Sequence, residues 1–251
     1  MVTYKRVFST LVLPRRIGRR MEKFNDIYQR AVTRKGSEEM LLALLSDPLD
    51  SADIAKMHDD LWLEELTRKV FQSGFYWSVI NSKWSGFREV FWDFSVEKLL
   101  MMPPDMLEQK ASDERIIRNF KKVQTIPENA YMIHEVAEKH GSFSQFVADW
   151  PVNNIIGLWA YLKKHGARLG GNTGPYALRA MGKDTFLLSR DVENYLRAHE
   201  LIDGGLQSKK SLQAAQDFFN ELQQQSGFSL QALSQLVAYG VGDNRVGIAA
   251  R

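Results

Sequence analysis

The chain has 251 residues, 25% of them charged and 44% apolar, with a net charge of +3. Such a composition is globular, long enough to bury a sizeable core in one large domain or two small lobes, and it fits neither a disordered chain nor a collagen-like repeat. There is no cysteine, which excludes a disulfide framework, a thiol nucleophile and any cysteine-ligated zinc or iron–sulfur centre. The histidines show no HExxH spacing, so no metal is expected. The positive charge is concentrated at the start: Lys5, Arg6, Arg15, Arg16, Arg19, Arg20 and Lys23 stand against Glu22 alone within residues 1–23. This segment is expected to be a basic arm able to track phosphates. No apolar run reaches the roughly 18 residues needed to cross a bilayer, so a cytoplasmic protein with no membrane partner is expected.

Helical periodicity dominates the rest. Phe24, Ile27, Tyr28 and Ala31 recur on one helix face, and Met40 to Leu45 is an apolar run stopped by Asp47-Pro48. Asp53 can cap a short helix. Residues 59–73 read as a helix ended by Gly74, with Leu61, Glu65, Lys69 and Gln72 in one stripe, and 77–91 as the next. Ser95 opens a helix at 96–101, Pro103-Pro104 separates it from 104–111, and Asp113 is expected to cap a long helix over 114–124. Further helices are predicted at 127–140, 143–149, 153–165, 175–182, 189–199, 208–225 and 229–239, and the Gly-rich tail 240–251 is expected to fray. With no sustained period-2 alternation, the fold class is all-α, a single helical domain over 24–239.

The stretch Leu169-Gly170-Gly171-Asn172-Thr173-Gly174-Pro175-Tyr176 lies between two of these helices. Glycines there allow positive φ and close backbone approach, and Pro175 suits a first helical turn. Amides at such a helix start can hold a phosphate. The same residues also make a plain helix–helix turn with no ligand.

Two further segments bear on that choice: Leu66 to Trp77, containing Gly74-Phe75-Tyr76-Trp77, and Arg115-Ile116-Ile117-Arg118-Asn119-Phe120-Lys121-Lys122-Val123 followed by Asn129-Ala130. With the glycine hairpin and Leu188-Ser189-Arg190-Asp191-Val192, they resemble the bacterial 3-methyladenine DNA glycosylase I family of the helix-hairpin-helix glycosylases, over roughly residues 59–196. The resemblance implies a two-lobed helical fold that bends double-stranded DNA and flips a damaged base into a pocket, because a stacked base cannot be reached for chemistry. It implies excision of an N3-methylated adenine by a monomeric DNA repair enzyme on the nucleoid, without a cofactor. A lesion-binding protein on the same fold that has lost turnover is the alternative.

Carried over by position, Trp77 is the indole that stacks on the flipped base, with Tyr76 beside it. Gln72 and Phe75 flank the turn expected to wedge into the duplex. Gly170, Gly171, Thr173 and Gly174 match the phosphate-gripping hairpin, with Arg190 a further backbone contact and Lys163, Lys164 and Arg168 adding charge. Asp191 is the candidate catalytic acid, since gapless alignment puts Ser189 near the position where many superfamily members place an aspartate. Lys183 is the nearest candidate for a lyase nucleophile. The chain departs from the family in two places. The family's Cys and His zinc site is absent, so its ends must be held by packing of 200–239. Lys69 also stands where the family has an acid that reads the purine, and a lysine would repel a cationic base unless paired.

Overall fold

A computed structural model describes residues 21–242, and among these every regular element is a helix. The basic arm up to residue 20 and the tail from 243 lie outside the described residues. In chain order the helices are α1 (Phe24–Lys35), α2 (Glu38–Leu42), α3 (Ser51–Ala55), α4 (Asp59–Gln72), α5 (Trp77–Ser82), α6 (Trp84–Val90), α7 (Val96–Leu100) and α8 (Pro104–Ala111). There follow α9 (Phe120–Val123), α10 (Thr125–His140), α11 (Phe143–Asp149), α12 (Ile155–His165), α13 (Thr173–Ala180), α14 (Arg190–Ala198), α15 (Lys209–Ser226) and α16 (Leu230–Tyr239).

Serine chemistry sets many of the starts. Ser37, Ser95, Ser142, Ser189, Ser208 and Ser229 each accept the amide N–H three residues on, satisfying one of the donors that a helix start leaves free. Ser189, which aligns near a superfamily acid, is therefore a helix cap. Asp53 is not a cap: it sits inside the first turn of α3, whose N-cap is Asp50.

Two expected helices are broken. The 77–91 segment divides at Lys83, whose φ of −103° and ψ of 4° leave the helical basin and whose Nζ reaches the Glu114 carbonyl. The helix expected over 114–124 shrinks to α9. Asp113 caps no helix: its carboxylate takes the Arg115 backbone N–H at 2.8 Å and the guanidinium at 2.7 and 3.0 Å, closing a local turn. These bonds hold Asp113 well below the usual carboxylate range, at about 2. The helix begins instead at Asn119, whose side chain accepts the Lys122 amide N–H. Gly86 explains the unwound stretch. A Cβ there would lie 2.3 Å from the Arg115 carbonyl oxygen, so only glycine lets α6 pack on this backbone.

α4 is the spine. Trp62, Leu63, Leu66, Val70 and Phe71 are fully buried along it, with α10 and α13 packed against it. Asp59 accepts the Phe143 and Ser144 amides, while Trp62 donates to Ser144 Oγ at 2.8 Å, locking the start of α4 to α11. The terminal helices are held by packing. Phe218, Phe219, Leu222, Leu230, Leu233 and Leu236 are buried, and α15 and α16 pack on each other and on α1. Asp184, in the segment after α13, accepts the first amides of α16, from Leu230 and Gln231.

Candidate nucleic-acid interface

Helix α4 ends by turning out at Ser73 (ψ 105°) and Gly74 (φ +86°), and the chain re-enters helix at Trp77. A buried cation fixes this exit. Lys122 Nζ donates to the carbonyls of Val70 (2.8 Å), Phe71 (3.1 Å) and Ser73, and lies 4.7 Å from the centre of the Phe75 ring. It fills the role of the orphan carbonyls' partner at a helix end, and burial pushes its ammonium below the usual lysine range. Lys122→Met is expected to cost about 1–3 kcal/mol of stability by leaving buried carbonyls unpaired. Denaturant unfolding checks this, and an unchanged midpoint would show that Lys122 does not hold the turn.

Opposite this turn lies the glycine hairpin between α12 and α13. The Gly174 amide donates to the Leu169 carbonyl at 3.1 Å, and a Cβ on Gly174 would stand 2.7 Å from that oxygen. Gly171 has φ +63°, the left-handed basin that glycine enters without strain. Asn129, fully buried on α10, clamps the approach by pairing both amide atoms with the Ala167 backbone, at 2.8 and 3.2 Å. This gives a physical role to the Asn129-Ala130 motif. Asn172 donates to the Leu188 carbonyl at 3.2 Å, tying the hairpin to the segment before α14.

Between turn and hairpin lies a cleft of about 420 Å³, lined by Lys69, Gln72, Ser73, Trp77, Gly170, Gly171, Asn172, Thr173 and Tyr176. That volume suits a small molecule or a nucleobase. Trp77 is 54% exposed, an open indole rather than a core one. Its ring meets Tyr176 edge-on at 6.5 Å, and the Lys69 ammonium lies 5.5 Å from its centroid. Lys69 is paired: Nζ is 3.0 Å from Glu65 Oε1 and 3.2 Å from Gln72 Oε1. Glu65 also meets Arg68, at 3.4 Å. A larger hollow of about 500 Å³, lined by Met57, His58, Glu97, Met101 and His134 among others, has neither a glycine corner nor an aromatic stacking face.

The structure thus brings Trp77, Lys69, Gln72, Gly170, Gly171 and Thr173 to one cleft, with Gly174 behind them as a packing residue. Gln72, expected on the wedge, is buried in the wall, with Nε2 3.5 Å from Asn81 Oδ1. Phe75 is 38% exposed at the turn, whereas Tyr76, expected in the pocket, points outward at 84% exposure and does not line the cleft. Arg190 and Asp191 begin α14 outside the cleft wall, with the Asp191 carboxylate against Gly242. Lys183 is buried away from it, donating to the Ala148 and Trp150 carbonyls. Tyr176 was not anticipated as part of the pocket. Its signal was an aromatic one turn into the helix that leaves the glycine hairpin.

The sequence matches the methyladenine glycosylase family over residues 53–170. Among similar solved structures, a Methanocaldococcus jannaschii 8-oxoguanine glycosylase/lyase bound to DNA is 14% identical, with a TM-score of 0.50 over 85% of this chain and 96% of that one. A 3-methyladenine DNA glycosylase I from Staphylococcus aureus is 20% identical, with a TM-score of 0.45 over 62% of this chain and 91% of that one. Another 3-methyladenine DNA glycosylase I, in complex with 3-methyladenine, is 23% identical, with a TM-score of 0.45 over 50% of this chain and 77% of that one. The matched segment holds the α4 wall, the Gly74–Trp77 turn and the first hairpin glycine, while Gly171 to Tyr176 and α14 follow it. Residues 53–170 are thus similar to the methyladenine glycosylase family, and the all-helical fold is similar to that of the 8-oxoguanine glycosylase/lyase.

Proposed function

We propose that the chain is a monofunctional DNA repair glycosylase that acts, as a monomer, on double-stranded DNA carrying an alkylated purine of the 3-methyladenine type. The observation that carries this reading is the open Trp77 indole facing a glycine corner across one nucleobase-sized cleft. The hairpin amides would bind phosphate beside the lesion, Phe75 at the exposed turn would enter the gap in the stack, and Trp77 would receive the flipped base. N-alkylation makes the base a good leaving group. The C1′–N bond breaks with its electron pair going to the base, and water adds to C1′ and gives up a proton. No group carrier, metal or lysine adduct enters this scheme. Lys183, the lyase candidate, has its Nζ spent on two carbonyls.

Asp191, on the first turn of α14, would act through space by favouring the positive charge that develops on the sugar. Asp191→Asn is expected to slow base release about tenfold, the scale of one medium-range charge, while costing less than about 1 kcal/mol of helix-end stability. Single-turnover release and thermal melting check both, and unchanged release would remove Asp191 from the mechanism. The basic arm 1–23 would add sequence-independent, salt-dependent affinity for chromosomal DNA.

The test is to incubate the full chain with methylated duplex DNA and chromatograph the released bases. Methylated purine in the supernatant, with alkali-labile abasic sites and no nicks before alkali, is expected. Release of no modified base, with tight binding to abasic duplex, would identify a lesion binder instead.

A further inference from the structure

The cleft wall carries no carboxylate. The ionisable side chains among its lining residues are Lys69 and Tyr176, and the only charged one is the Lys69 ammonium. An ammonium has three N–H donors and accepts nothing. Glu65 and Gln72 engage it at 3.0 and 3.2 Å, which leaves donor capacity on the side that lines the cleft. The same contact occupies Gln72 Oε1, an amide acceptor of the wall, leaving the amide NH2 near Asn81. Glu65 itself is held by Lys69 and Arg68 and does not line the cleft. The pair also answers the repulsion expected of a lysine here, because Glu65 balances its charge. What Lys69 still imposes is direction: a base lying against the indole meets a donor, not an acceptor, beside the ring.

We propose that Lys69 is a specificity-determining residue that makes this pocket prefer alkylated purines with a carbonyl at the 6-position over those with an amino group there. The inference rests on the glycosylase reading above and narrows it, placing N3-alkylated 6-carbonyl purines ahead of 3-methyladenine itself at the same site. A 6-carbonyl beside N7 gives two adjacent acceptors, the pattern that lysine reads on guanine edges. A 6-amino group sets a donor against a donor and leaves the ammonium without its partner. Buried polar groups left unmatched are what separate near-isosteric substrates.

Two free bases compare that group: 3-methylhypoxanthine and 3-methyladenine, which differ in the 6-oxo or 6-amino group and in the imidazole N–H that the oxo base carries, its N9–H tautomer keeping N7 an acceptor. Each is titrated into the full chain while indole fluorescence is followed, with Trp77→Phe subtracting the other indoles. In the native protein 3-methylhypoxanthine is expected to bind about tenfold more tightly. Lys69→Glu, which offers an acceptor, is expected to reverse the order. Lys69→Gln, which offers both functions and keeps the helix free of a carboxylate pair with Glu65, is expected to bring the two affinities together. Equal or tighter binding of 3-methyladenine by the native protein would overturn the proposal. So would a preference unmoved in Lys69→Gln, or no saturable Trp77 response to either base. Release of 3-methyladenine ahead of the 6-carbonyl purines from methylated DNA would sink this inference alone, whereas release of nothing would sink the glycosylase reading.

Discussion

Trp77→Ala is expected to lower single-turnover base release roughly 10- to 100-fold, the worth of one base–aromatic stack, while binding to undamaged duplex changes less than about twofold. The asymmetry follows from position. Trp77 is 54% exposed and contacts the cleft rather than the core, so its loss removes a stacking surface without opening a cavity in the interior. An undamaged duplex keeps its bases stacked and never presents one to the indole. Trp77→Phe is expected to restore part of the activity. Equal losses on damaged and undamaged DNA would mean that Trp77 serves general adhesion.

Gly170→Asp is expected to weaken binding to every duplex alike, roughly 10- to 100-fold at low salt, because it sets a carboxylate where the hairpin would meet a phosphate. Gly170 suits this experiment better than its neighbours. A Cβ there meets the Lys163 side chain, at 3.1 Å from Cγ, which can swing away. Gly171 sits at φ +63° and Gly174 faces the Leu169 carbonyl at 2.7 Å, so substituting either strains the fold itself. The slope of binding against salt is expected to fall by about one phosphate contact. Fluorescence anisotropy at several salt concentrations measures this. A loss confined to lesion-containing DNA would contradict a backbone-gripping role.

Much of this fold was legible in residue order because its local signals agree with its packing. Six helix starts carry a capping serine, of which Ser95 was read as one from the sequence, and Gly36, Gly74, Gly141, Gly166 and Gly227 lie just beyond helix ends. The misses have different causes. Asp53 falls inside the first turn of the helix it was expected to cap, Asp113 closes a local turn on Arg115, and at Lys83 a bond to the Glu114 carbonyl and the packing of Gly86 on the 115 backbone interrupt the helix that periodicity promises.

The site was legible in part. Motif resemblance pointed to Trp77, Lys69 and the hairpin, and the structure gathers them. The stripe of Glu65, Lys69 and Gln72 already held the spacing that pairs all three. Tyr76 and Trp77 look equivalent in sequence, and only the φ/ψ path from Ser73 through Gly74 decides that the indole faces the cleft while the phenol faces out. Tyr176 was hidden because the hairpin was read for its amides. Lys122 was hidden because a buried lysine serving three carbonyls leaves no pattern in sequence.

The most direct measurement is a crystal structure of the full chain on a duplex holding one methylated purine whose sugar carries a 2′-fluorine to block hydrolysis. The account predicts the base turned out of the helix and lying on Trp77 beside Lys69, with the flanking phosphates on the Gly170–Thr173 amides. A methylated base still stacked in the duplex, or phosphates held elsewhere while the glycine hairpin faces solvent, would contradict it.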